Sequence, residues 1–209
     1  MSGVREAILV HGLWMPAAVM APLAARLQSA GFRCHLFGYP SRERPLDAHA
    51  ERLARFAGGI GQAHFVGHSL GGVLVLHALE RHRAIAAGNV VLLGAPVRGN
   101  VAGRRLGRHG WGRWMLGTTH FLWQETRTAR WTRPEPLGVV AGSLSLGLGR
   151  LFGALPGAND GVVRVAETAV EGMRERIVLR VSHAAMLLSA RAAQQTIHFL
   201  HDARFAPSR

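Results

Sequence analysis

The chain contains no lysine, so apart from protonated histidine and the amino terminus every positive charge on it is an arginine guanidinium. Acidic residues are scarce as well. Three aspartates (Asp47, Asp160, Asp202) and nine glutamates face 25 arginines, which leaves a formal net charge of +13 and a pI near 11.8. Such a balance suits phosphates, nucleic acid or anionic lipid, or it reflects only an alanine-, glycine- and arginine-rich composition. The arginines are scattered rather than gathered into one tract, which favours the second reading. Cys34 stands alone, so no intrachain disulfide can form; it reads as a small core residue, with no sign of an oxidising compartment. Apolar runs are short. Met1 to Val10 is too brief for the apolar region of a secretory leader, and no later stretch approaches a membrane span, so the expected location is the cytoplasm. Charged residues make up only 18% against 48% hydrophobic, which excludes a disordered chain. At 209 residues the expectation is a single domain, 1–209, with one sizeable core.

Taken in order, the apolar runs alternate with helical patterns. Ala7 to Val10 reads as a buried strand ending at His11-Gly12, and Pro16 to Ala30 as a helix stopped by Gly31. Phe32 to Tyr39 is a second strand, and Leu46, Leu53 and Ala57 mark a second helix. Ala63 to Val66 leads into a third helix, Leu70 to about His82. Val90 to Leu93, Leu137 to Ala141 and Ile177 to Val181 complete six strands, and a last helix covers about Met186 to His201. Unbroken apolar runs alternating with helices imply βαβ units, hence an α/β fold with a mostly parallel sheet and helices on both faces. One segment breaks the pattern. Arg98 to Glu135 holds four of the five tryptophans (Trp111, Trp114, Trp123, Trp131) and eight arginines against two glutamates, without a clean period. It reads as an insertion, 98–135, forming a cap or lid, whose tryptophans either roof a pocket or meet a lipid boundary.

Chemistry concentrates at Gly67-His68-Ser69-Leu70-Gly71, where a strand meets a helix. A serine at such a corner is aimed outward, beside helix N–H groups suited to an oxyanion. A serine nucleophile needs a base and a carboxylate that orients the base. Asp160 is the one aspartate between this corner and the late histidines His183, His198 and His201. His183 just follows the last strand, at the sheet edge where ligand sites gather, whereas His198 and His201 fall on the final helix. Glu167, Glu171 and Glu175 remain alternative acids. Other signals are weaker. Gly147, Gly149 and Gly153 form no phosphate loop with the required strand, helix and lysine, and neither His82 nor the pair His198 and His201 has the partners of a metal site.

Four motifs in order, Val10-His11-Gly12-Leu13-Trp14, Gly67-His68-Ser69-Leu70-Gly71, Asn159-Asp160-Gly161-Val162-Val163 and Val181-Ser182-His183-Ala184-Ala185-Met186-Leu187, span nearly the whole chain. The set resembles the α/β-hydrolases, and within them the small bacterial lipase- or esterase-like branch with a minimal cap. The resemblance implies an α/β-hydrolase fold with a sheet of about six strands. It further implies a carboxylic ester hydrolase with Ser69 as nucleophile, His183 as general base then acid, and Asp160 as the orienting carboxylate. The backbone N–H groups of Leu13 and Leu70 would form the oxyanion hole, with structural roles for His11 and His68. No cofactor and no metal is implied. The expected partner is a small-molecule or lipid ester, with an anionic membrane surface as a further partner and nucleic acid disfavoured. Thioester or amide cleavage on the same residues is the first alternative. A non-catalytic binding protein for nucleic acid or membrane is the second.

Overall fold

The structure, a computed structural model, describes residues 3–124, 129–146 and 154–207. Six strands, β1 (Glu6–Val10), β2 (Arg33–Phe37), β3 (Ala63–His68), β4 (Ala87–Leu93), β5 (Leu137–Gly142) and β6 (Glu175–Leu179), form one sheet in the order β2-β1-β3-β4-β5-β6. Every neighbouring pair is parallel. This is the parallel α/β sheet expected from the six apolar runs, with the strand number that the resemblance implied. Alternate residues of β1 show why those runs are unbroken: Ile8 and Val10 pack with helices α2 (Leu46–Gly58) and α3 (Leu70–Arg81), while Ala7 and Leu9 face α1 (Ala21–Ser29) and α7 (Ala190–Asp202). Where both faces are covered, as along β1, successive strand positions are apolar. Burial of this apolar area is the main force holding the layers together.

The chain leaves β1 to one side for β2 and returns to the other side for β3. The loops after β1 and β3 therefore diverge, opening a crevice at the C-terminal ends of the strands. Over it lie three short helices, α4 (Val101–Leu106), α5 (Gly110–Leu116) and α6 (His120–Gln124). Leu106, Leu116 and Trp123 from this cap form a separate apolar cluster with Leu70 at the start of α3.

Several boundaries differ from the sequence reading. The last strand starts at Glu175 and ends at Leu179, two residues before Val181, because β6 is an edge strand with only part of its surface buried and needs no apolar run. The last helix does not start at Met186. A 3-10 turn, Ala185–Leu187, comes first, and Ser189 then caps α7 by accepting the Ala192 N–H at 3.2 Å. Pro16 to Ala30 likewise divides into a 3-10 turn and α1, with Pro22 in the first turn, where its missing N–H costs nothing. Cys34 is half-buried, with its thiol 3.6 Å from the Ala24 carbonyl oxygen, and burial raises its pKa to about 11. Gly147, Gly149 and Gly153 lie outside the described residues. Among the described residues, no helix is long and apolar enough to cross a membrane.

Candidate active site

Ser69 sits between β3 and α3 with φ 55° and ψ −126°, a conformation that a residue with a Cβ adopts only under constraint. Its backbone is held from both sides: the Ser69 N–H donates to the Leu93 oxygen at 2.9 Å, and the Gly72 N–H donates to the Ser69 oxygen at 3.0 Å. The corner closes because its neighbours lack side chains. A Cβ on Gly71 would overlap the Val10 carbonyl oxygen, so α3 can start against the end of β1 only with glycine there. The loop after β1 passes just as near, since a Cβ on Gly12 would lie 2.9 Å from the Ser69 Cβ. That loop is fixed by His11. Its Nδ1–H donates to the Gly12 oxygen at 2.8 Å and its Nε2 accepts the Tyr39 N–H at 3.3 Å, while the Tyr39 hydroxyl donates to the His11 oxygen at 3.0 Å. Trp14, next in the loop after Leu13, has φ 61°. Leu70 is the first residue of α3, where a helix leaves its N–H groups unused.

Opposite Ser69, the loop after β6 carries His183. Its Nδ1–H donates to Asp160 Oδ2 at 2.7 Å, and its backbone N–H donates to the Asp160 carbonyl oxygen at 2.9 Å. Asp160 is 1% exposed, and its second carboxylate oxygen accepts the N–H groups of Val162 at 3.0 Å and Val163 at 2.7 Å. With Nδ1 donating, the neutral imidazole keeps Nε2 as an acceptor. Gly94, at φ +55°, makes room for this pair: a Cβ there would lie 3.1 Å from Asp160 Oδ2 and 3.2 Å from His183 Nδ1. Beneath them His68 is fully enclosed, donating from Nε2 to the His183 carbonyl oxygen at 3.1 Å.

Ser69 and His183 line one cavity of about 280 Å3 between the strand ends and the cap. Leu13, Leu70, Leu106, Leu116 and Trp123 supply much of its wall, so its surface is mostly apolar. All five residues singled out by the motifs are thus gathered in one place: Ser69, His183, Leu13 and Leu70 on the cavity, and Asp160 immediately behind His183.

Residues 7–206 match the model of the Alpha/beta hydrolase family. The chain belongs to that family. Among solved structures, this hydrolase is similar to the mature lipase BlEst2 of Bacillus licheniformis, with a TM-score of 0.77 at 18% identity over 98% of this chain and 94% of that one. It is also similar to a pyrethroid hydrolase from Sphingobium faniae, at TM-score 0.65 and 14% identity over 96% and 98% of the two chains. A metagenomic carboxyl esterase aligns at TM-score 0.63 and 18% identity over 89% and 67%. No curated protein matches the sequence.

The alternative acids are engaged elsewhere in the hydrolase. Glu167 accepts the N–H groups of Val101 and Arg164 at 2.7 and 2.8 Å, fastening the start of α4 to the segment after Asp160, and burial raises its pKa. Glu171 pairs with Arg130, and Glu175 accepts the Phe205 N–H. His198 and His201 lie on α7, His198 beside Asp202 and His201 against Phe32. Two residues that shape the site had no role in the sequence analysis. They are Gly94, which makes room for Asp160 and His183, and Asn100, which caps α4 by accepting the Gly103 N–H; as a cap, Asn100 left only its residue type as a signal.

Burial holds His68 well below the ordinary histidine range, to about 3, and lowers His11, His49 and His64 in the same direction. These groups take up protons near pH 6.5 only after unfolding, so stability is complete above that pH and falls as pH drops below it. The expected slope for His68 alone approaches about 1.4 kcal/mol per pH unit down to about pH 3. Glu167 works the other way, but only near the carboxylate range. Urea midpoints measured from pH 7 to 4.5 should therefore fall steadily at unchanged m-value; a flat profile would contradict the burial of these rings.

Proposed function

We propose that this hydrolase cleaves carboxylic esters through a serine acyl-enzyme. The observation that carries the reading is a constrained Ser69 and an Asp160-bound His183 lining one apolar cavity. Ser69 Oγ attacks the ester carbonyl carbon as its proton passes to His183 Nε2, and the resulting oxyanion is met by the N–H groups of Leu13 and Leu70. Collapse of this intermediate expels the alcohol, which takes the proton from His183. Water, deprotonated by the same nitrogen, then releases the acid and frees Ser69. Asp160 fixes the ring and balances the charge of the imidazolium. The leucine and tryptophan wall suits the acyl part of the substrate, and a cavity at the small end of ligand pockets favours short to medium chains. Resemblance to a lipase and a carboxyl esterase supports the same substrate class.

The test combines a fluorophosphonate label with a chain-length series of p-nitrophenyl esters, run beside matched thioesters and anilides. Labelling confined to the peptide holding Ser69, with a preference for esters of short to medium chains, is expected. Labelling of another residue would remove Ser69, and faster turnover of thioesters or anilides would reassign the substrate.

A further inference from the structure

We propose that the outer face of the cap, around the cavity mouth, docks on an anionic lipid bilayer. The four tryptophans of the segment divide in two. Trp123 and Trp131 are buried, while Trp111 and Trp114 are 56% and 73% exposed. The exposed pair stand three residues apart on α5 and so share one face of that helix. Its other face is spent on packing: Leu116 is buried in the cap cluster, and Gly112 lies so close to the Leu106 carbonyl that no Cβ would fit.

The exposed face adjoins the mouth. Trp14, which lines the cavity and is itself 47% exposed, donates its indole N–H to the Met115 oxygen of α5 at 2.8 Å. Leu146 lines the cavity with half its surface outside, and Leu188, four residues beyond cavity-lining Ala184, is also exposed. Large apolar groups exposed together mark a contact surface.

Charge selects the partner. Between Gly94 and Gln124 the sequence has no acidic residue at all. Arg108 and Arg113 are exposed there, and among the described residues neither is in an ion pair. Arg42 lies over the Trp114 ring, 5.0 Å from its centroid, and donates to the Trp114 carbonyl oxygen at 2.8 Å. This pair joins a headgroup-seeking cation to an indole, the combination that settles at a lipid boundary. Nucleic acid would also meet the arginines, but it has no use for the exposed Leu146 and Trp14 at the cavity, whereas acyl chains do. No membrane-crossing helix is needed for such contact. Docking rests on the surface alone; that it presents a lipid ester to Ser69 rests on the function proposed above.

Sedimentation with vesicles tests it, using the Ser69→Ala variant so that turnover plays no part. Binding to phosphatidylcholine vesicles containing phosphatidylglycerol is expected, on the order of tenfold or more tighter than to phosphatidylcholine alone, and weakening with salt. The double variants Trp111→Ala/Trp114→Ala and Arg108→Gln/Arg113→Gln should each lose on the order of tenfold in partitioning, and both alter only exposed side chains. Equal binding to neutral and anionic vesicles, or none at low salt, would overturn the proposal. So would retention of duplex DNA with no vesicle binding, or a concentration-dependent dimer abolished by the tryptophan variant. Vesicle binding without esterase activity in the wild type would leave docking standing and remove the proposed function.

Discussion

Replacing Ser69 with alanine is expected to lower kcat by about 10⁴-fold or more while leaving the fold in place. The hydroxyl is the only group on this residue that alanine lacks, and it does not cap α3. Everything that fixes the corner is main chain or Cβ: the bonds to the Leu93 oxygen and from the Gly72 N–H, and the contact with Gly12. Alanine keeps all of these, and it keeps the backbone strain as well. The loss therefore falls on bond formation to the acyl carbon and should appear in kcat, with KM little changed, because the apolar wall that binds the chain is intact. Steady-state kinetics on a p-nitrophenyl ester, with circular dichroism melts of both proteins, make the comparison. Turnover within tenfold of wild type would remove Ser69 from the mechanism; a collapsed melting transition would instead show that the hydroxyl holds the corner together.

Sequence patterning carried the sheet well because both faces are covered. Where strands are sandwiched, as in β1, β3, β4 and β5, their apolar runs stand out from any background. It served less well at the edge, where β6 begins with Glu175 and Arg176, and at α7, whose start depends on the cap at Ser189 rather than on periodicity. Of the site, chain order and strand-end position brought forward Ser69, Asp160 and His183, and the family resemblance added Leu13 and Leu70. The space that admits them left no local trace. Gly94 matters because two side chains distant in sequence approach it, and Glu167 because it fastens the cap to the segment after Asp160. The cap itself lacks a period because its short helices bury isolated residues such as Leu106, Leu116 and Trp123 rather than a continuous stripe. Its far end also divides: Ala129 and Trp131 pack into the core shared with α2 and α3, away from the cavity wall formed by Trp123.

Asp160→Asn is expected to cost about as much as loss of the serine, on the order of 10⁴-fold in kcat, although it changes a single atom. The carboxylate oxygen toward His183 accepts the Nδ1 proton at 2.7 Å, and the other accepts two backbone N–H groups. An asparagine can satisfy those backbone groups with its carbonyl only by turning its NH2 toward His183. The imidazole must then present Nδ1 as an acceptor and carry its proton on Nε2, the nitrogen that should receive the serine proton. The loop keeps its shape while the base is in the wrong tautomer, and the balancing negative charge for the imidazolium is gone. Three controls separate this from a general effect of charge. Asp47 is largely exposed on α2 beside His77, and Asp202 sits on the surface near His198, so Asp47→Asn and Asp202→Asn should change kcat less than about twofold. Glu167→Gln gives up one backbone acceptor at the root of the cap and should cost less than tenfold, chiefly in KM, since it touches neither Ser69 nor His183. Should Asp160→Asn keep most of the activity while Glu167→Gln loses orders of magnitude in kcat, the orienting carboxylate would be Glu167, and the 2.7 Å contact between Asp160 and His183 would be a structural bond only.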